Sequence, residues 1–287
     1  MAISRASALI CALVGCGAPQ RGPARTPITL TYLGVAGWQI DSGPTTILVD
    51  PYFSRPALDK PISPDDAAIA AHAPAHADAI VVGHSHVDHL LDAPSVAKRT
   101  GAQLIGSAST ARFARASGLP ADHIITVKGG EDLEFGAYSI RAIPSLHSEL
   151  DHKHAFGGTI AADVKLPMTF EQFEEGGTFA YLIRIGGHEI VALDTANFIE
   201  RELAGLRPDI AIIAPGARGE IHDYTCRLLR ALGDPPLVYA THFDDWRGAA
   251  ADIPPDADLR AFADEVTRCS PHTVLVIPKH FSAMVVP

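Results

Sequence analysis

Six consecutive residues, His84-Ser85-His86-Val87-Asp88-His89, carry four side chains able to donate an electron pair to a metal ion, and they directly follow the apolar run Ala79 to Val82. Imidazole nitrogens and a carboxylate oxygen together suit Zn²⁺ and other divalent cations. A loop leaving a buried strand can aim alternate side chains, His84 and His86, at one point while Asp88 and His89 turn towards another. The run therefore calls for a fold that ends a core strand at an accessible rim, with room for two cations.

From Ile28 onward the chain alternates strand and helix signals, without an internal repeat. Ile28 to Leu33, Gly37 to Asp41 and Thr45 to Asp50 read as strands, and the Ser42-Gly43-Pro44 turn joins the last two. Later strands are expected at Gln103 to Ile105, His123 to Val127, Ser139 to Ile143, Phe179 to Ile185 and Glu189 to Leu193, with Gly186-Gly187 closing the last pair as a hairpin. Asp209 to Ile213, Leu237 to Ala240 and Thr273 to Ile277 complete the set. Helices are expected over Pro94 to Thr100, Thr110 to Ser117, Asp223 to Leu232 and Asp258 to Arg268, with Ser109 and Asp223 as caps. Hairpins first and strand–helix alternation afterwards predict an α/β domain of two mixed sheets flanked by helices, over 28–287.

The histidine run resembles the H-x-H-x-D-H signature of metallo-β-lactamase-fold hydrolases, whose αββα sandwich has the predicted layers. The resemblance extends over nearly all of Ile28 to His280 and implies further ligands. His147 in Leu146-His147-Ser148 is similar to the third histidine of the first metal site, Asp194 to the carboxylate that bridges the metals, and His242 to the last histidine. On this reading His84, His86 and His147 hold one cation, Asp88, His89 and His242 the other, and Asp194 joins them. The cations are expected to be zinc, with Mn²⁺ or Fe²⁺ as alternatives. They would supply the hydroxide that attacks the substrate, and Asp88 would orient it. Tyr32-Leu33-Gly34 to Trp38, followed by Ile47-Leu48-Val49-Asp50-Pro51, further resembles the branch containing ascorbate-phosphate lactonases and an N-acyl phosphatidylethanolamine phospholipase D. That branch implies that Asp50 hydrogen-bonds a ligating histidine.

Asp at position 194 disfavours the β-lactamases that place Cys there, and no G-x-S-x-G elbow supports a serine hydrolase. Three functions follow: an ester or lactone hydrolase, a phosphodiesterase acting on lipids or related phosphodiesters, and a non-catalytic metal-binding lipoprotein. His222 and His280 are candidate donors to substrate, His152 and His154 are candidates for the pocket mouth, and the segment Ser148 to Gly177 is expected to shape substrate choice.

The first residues are of another kind. Arg5 precedes an apolar run that ends in Leu13-Val14-Gly15-Cys16, which resembles the bacterial lipobox. Residues 1–15 read as a lipoprotein signal peptide, Cys16 as the lipidated residue and 16–27 as a tether, which makes the protein an exported lipoprotein of the cell envelope, held at a membrane by its anchor. Cys226 and Cys269 remain, paired or merely buried. A net charge of −10 and the lack of any basic cluster argue against nucleic acid as a partner.

Overall fold

The computed structural model describes residues 25–248 and 258–287. The expected signal peptide and Cys16 lie outside the described residues. Strands β1 (Ile28–Gly34), β2 (Gly37–Ser42), β3 (Thr45–Val49), β4 (Ala79–Val81), β5 (Gln103–Gly106) and β6 (Ile124–Thr126) belong to one sheet. Strands β7 (Asp132–Glu134), β8 (Tyr138–Pro144), β9 (Phe179–Ile185), β10 (His188–Leu193), β11 (Ile210–Ile213), β12 (Leu237–Ala240) and β13 (Val274–Val276) form the other. The last strand, β14 (Ala283–Val286), returns to the first sheet beside β1, with Ile28 opposite Val286. Each sheet thus has an antiparallel half and a parallel half, β3 to β6 in one and β10 to β13 in the other.

Helices α1 (Asp66–His72), α2 (Val87–Leu90), α3 (Ala93–Thr100) and α4 (Ala108–Ala116) serve the first sheet, and α5 (Glu200–Leu203), α6 (Tyr224–Ala231) and α7 (Leu259–Cys269) the second. The inner parallel strands β4, β5, β11 and β12 read as apolar runs because both faces are buried, whereas the edge strands β6 and β13 are partly exposed. Ile47, Val49, Ala79, Val81 and Ile105 point into the core between the sheets with Tyr181 and Ile183, whereas Leu48, Ile80, Val82 and Leu104 pack outward against Val96, Ala97 and Phe113. The expected two-sheet, helix-flanked architecture is the one observed.

Local boundaries differ where a side chain found a tertiary partner. The cap of α4 is Ser107, whose hydroxyl accepts from the Thr110 backbone at 3.2 Å. Ser109 instead accepts from the Ile160 backbone at 3.0 Å and so ties down the segment expected to shape the pocket. Asp223 precedes α6 at φ 45° without capping it through its side chain. The short α1, α2 and α5 and strands β7 and β14 carry too little periodicity to stand out in the sequence.

An unexpected staple joins the outer helices: Cys226 of α6 and Cys269 of α7 form a disulfide, with Cα atoms 4.9 Å apart. That separation lies within the usual range for the bond.

Candidate metal centre

All the sequence-predicted ligands follow C-terminal strand ends at one rim of the sandwich. His84 lies beyond β4, His147 beyond β8, Asp194 directly after β10 and His242 beyond β12. The second half of the histidine run is a helical turn, α2, rather than a loop, which swings Asp88 and His89 away from His84 and His86. Two triads result: His84, His86 and His147 present ligand atoms within 4.8 Å of one another, and so do Asp88, His89 and His242.

The geometry inside the first triad suits one cation. His84 Nε2 and His86 Nδ1 are 3.1 Å apart. Two nitrogens each about 2.0–2.1 Å from a zinc ion, at an angle between square and tetrahedral, would be separated by about 2.9–3.4 Å. Tautomers are set from behind. His84 Nδ1 meets Asp194 Oδ2 at 2.7 Å, and His147 Nδ1 donates to the Ser148 carbonyl at 2.8 Å, so both Nε2 lone pairs face forward. In the second triad His89 Nδ1 meets Asp50 Oδ2 at 3.1 Å, while Asp88 Oδ2 lies 3.5 Å from His89 Nε2 and 3.1 Å from His242 Nε2.

Asp194 Oδ2 touches the Nδ1 atoms of both His84 and His89, the latter at 3.3 Å. It links the triads through these two rings, whose centroids are 3.9 Å apart. Gly83 makes this approach feasible: a Cβ there would collide with the Asp194 carboxylate. Asp50, at φ 40°, also accepts from the Gly83 backbone at 2.8 Å, and His242, at φ 47°, is held by its N–H to the Val35 carbonyl at 2.5 Å. Left-handed backbone at two non-glycine residues is strain retained where the surroundings over-determine it.

Electrostatics give the fit test for a cation. Burial, reinforced by the neighbouring imidazoles, pushes His84 well below its ordinary value, and burial with His147 beside it takes His86 down to about 4. These rings are neutral, as ligation requires. Burial alone would raise Asp88, but His89 and His242 outweigh it and hold the carboxyl below the usual range. Burial would lower His89, yet Asp88 and Asp50 carry it up to about 9. Burial raises Asp194, and raises Asp50 to about 7. Three buried carboxylates thus surround a single imidazole that favours its proton, and the surplus negative charge is costly unless a cation compensates it. The residues present fit divalent metal.

The triads floor a cavity of about 230 Å³. Leu150, Phe156 and Phe170 from the Ser148 to Gly177 segment form part of its wall, and Trp246 faces them from beyond β12. The segment is held in place by Ser85, whose N–H donates to the Glu175 carbonyl at 2.8 Å and whose hydroxyl donates to the Glu174 carbonyl at 2.6 Å. His222 is exposed and does not line the cavity. His152 pairs with Glu220 at 2.7 Å and His154 with Glu149 at 2.9 Å, and neither lines the cavity.

Sequence reasoning missed the buried knot behind His242. Asp244 accepts from the Tyr32 hydroxyl at 2.6 Å and the Val35 N–H at 3.0 Å, and lies 2.8 Å from His280 Nε2. Arg55 approaches the same carboxylate at 3.6 Å. Tyr32 and His280 were singled out in the sequence for other reasons, and the acidic pair Asp244-Asp245 follows a proposed ligand, but no local signal joined the three. The aromatic wall was missed as well, since Phe156, Phe170 and Trp246 are scattered along the chain.

Comparison with known proteins identifies the family of this fold. The family described as beta-lactamase superfamily domain matches residues 45–243. A UPF0173 metal-dependent hydrolase of Heliobacterium modesticaldum is 31% identical over 252 residues, spanning 85% of this chain and 93% of that protein. Another from Methanopyrus kandleri is 28% identical over 220 residues, 75% of this chain and 83% of the relative. Among solved structures, the Igni18 metallo hydrolase of Ignicoccus hospitalis superposes with a TM-score of 0.62 at 20% identity, over 91% of this chain and 99% of that one. The chain belongs to the β-lactamase superfamily and is a metal-dependent hydrolase of the UPF0173 family.

Proposed function

We propose that the protein hydrolyses a neutral carboxylic ester or lactone, with one divalent cation held by His84, His86 and His147, a second by Asp88, His89 and His242, and zinc as the first choice of metal. The observation that carries the choice of substrate is the cavity wall: among the described residues, no Lys or Arg lines it. Phosphoryl-transfer sites commonly clamp the fixed negative charge with such side chains, whereas an ester presents no charge until the oxyanion develops.

The bound cations would supply an acidified water at neutral pH and positive charge opposite that oxyanion. Asp88, held ionised by His89 and His242, orients the nucleophile and accepts its hydrogen bond. Asp194 and Asp50 keep the Nδ1 protons of His84 and His89 in place, so that both rings present lone pairs to the site. A purely structural zinc site would be closed by four ligands, and two triads opening onto one cavity argue against a non-catalytic role.

The reading is tested on protein reconstituted separately with Zn²⁺, Mn²⁺ and Fe²⁺, with metal content measured in every sample. Neutral esters and lactones should be hydrolysed at least ~10²-fold faster than bis(p-nitrophenyl) phosphate. The reverse order would replace this reading with the phosphodiesterase, and no turnover of either class at full metal loading would sink both.

The same proposal sets the protein in a bacterial cell envelope, exported and anchored through lipid on Cys16, with 1–15 as signal peptide and 28–287 as the catalytic domain. Two features support it: the Leu13-Val14-Gly15-Cys16 sequence, and the Cys226–Cys269 disulfide, a bond that persists in oxidising compartments. No helix of the described residues is long and apolar enough to cross a membrane.

A further inference from the structure

We propose that Phe156, Phe170 and Trp246 form an alkyl-chain subsite, so that the substrate is a lactone or ester carrying an extended apolar chain that leaves the metal centre along this wall. The inference deepens the ester and lactone reading of the same cavity and rests on it. The three rings make a continuous row: Phe156 meets Phe170 edge-on at 5.1 Å between centroids, and Phe170 stacks on Trp246 at 5.8 Å. The row starts at the chemistry, since Phe156 lies edge-on to the ligand His86 at 6.2 Å.

Phe170 and Trp246 rest by one side on the core outside the first sheet, whereas Phe156 belongs to neither core and is free to meet a ligand. Among the residues that line the cavity, Leu150 is 48% exposed and Phe156 37%. Exposed apolar groups gathered at the mouth of a cavity mark a surface that a ligand covers. The wall is also built to stay in place. Phe156 adopts φ 47°, a conformation costly for a bulky residue, and its carbonyl is pinned by the Glu175 N–H at 2.7 Å. The rest of the lining includes the candidate ligands, Ser148, Thr195, the Asp244 carboxylate and the small residues Ala196, Ala214 and Gly216, and among the described residues it supplies no Lys or Arg to grip an anion.

Because the row is a binding surface and touches no reacting bond, it should act on KM more than on kcat. Two measurements test it, one of them independent of turnover. Trp246 is one of only two tryptophans, and the other, Trp38, is fully buried in the core. Its fluorescence should therefore report the binding of unreactive 2-alkanones to metal-free and metal-loaded protein alike. Affinity should rise about three- to fourfold per added methylene, and the signal should vanish in Trp246→Phe. With zinc-loaded protein and γ-lactones whose side chains run from none to about six carbons, kcat/KM should climb with length by a similar factor per methylene. Phe156→Ala should flatten that slope through KM with kcat kept within about threefold, whereas Phe156→Leu should preserve it, and zinc content checks that both variants remain folded at the centre.

If lactones are hydrolysed with no dependence on chain length and alkanones do not bind, the subsite is refuted and the hydrolase reading survives. If alkanones bind with the expected gradient but no ester or lactone turns over, the subsite stands and the ester reading falls.

Discussion

At the scale of single residues, the centre depends on a few close approaches behind the ligands. Gly83 is the sharpest case, because a methyl group there must displace the Asp194 carboxylate that holds both His84 and His89. Gly83→Ala should lower zinc affinity at least about tenfold in a chelator competition; unchanged affinity would show that Asp194 can move without loss. Asp194→Ala removes the contact outright, so bound metal should fall and kcat should drop by at least ~10²-fold, with both measured on the same samples. Near-normal turnover with full metal content would deny Asp194 its role as the link. Asp92 offers a different test, away from catalysis. Its carboxylate accepts from the Phe53 N–H at 2.6 Å and the Ser54 N–H at 2.8 Å, yet burial raises it to about 6. The folded protein therefore binds this proton more tightly than the unfolded chain, whose value is about 3.9. The contribution of Asp92 to stability becomes more favourable as pH falls from about 6 to 4. Urea unfolding across that window should show this component in the wild type and not in Asp92→Asn.

At the scale of elements, the second sheet carries its helices under a covalent staple that spans 43 residues of sequence. In the chain-entropy view, closing a loop of that length in the unfolded state stabilises the fold by about 4 kcal/mol. Replacing both Cys226 and Cys269 with Ala should thus lower unfolding stability by about 2–4 kcal/mol in urea, without loss of metal, because α6 and α7 lie on the outer face of the sheet. Mass spectrometry of the unreduced protein should find no free thiol at either position. The elements around the centre were unevenly legible. The strands bearing His84 and Asp194 announced themselves as apolar runs, and the Gly186-Gly187 hairpin lies between Phe179–Ile185 and His188–Leu193 as expected. The α4 boundary was misplaced because Ser107 and Ser109 are equal candidates in sequence. Only the packing of Ile160 against α4 separates the cap from the clamp.

At the scale of the molecule, two seven-stranded sheets place their strand ends at one rim, and everything proposed about chemistry follows from that convergence. The proposed lipid on Cys16 would attach the protein to a membrane from the end of the sandwich away from this rim, because the chain enters β1 at Ile28 and Thr26 donates to the Gly186 carbonyl of the β9–β10 turn at 2.8 Å. Cys16→Ser should move the protein from the membrane fraction to the soluble fraction and abolish fatty-acid labelling. A wild-type protein that takes no label and fractionates as soluble would overturn the anchor.

The sequence by itself determined the layers and proposed the ligand set. Apolar runs buried on both faces and a cluster of His and Asp after one of them are local signals, and they need no knowledge of distant contacts. Tertiary structure alone decided how those ligands are held and what stands over them. Asp194 meets His84 and His89 across 110 and 105 positions of chain, and no spacing rule foretells that its oxygen faces their Nδ1 atoms. The Asp244 knot joins residues from both ends of the domain, and the aromatic wall joins three segments whose side chains look ordinary in isolation. Such contacts arise when separate strand ends pack together, because burial then forces each polar group to find a partner wherever the fold supplies one.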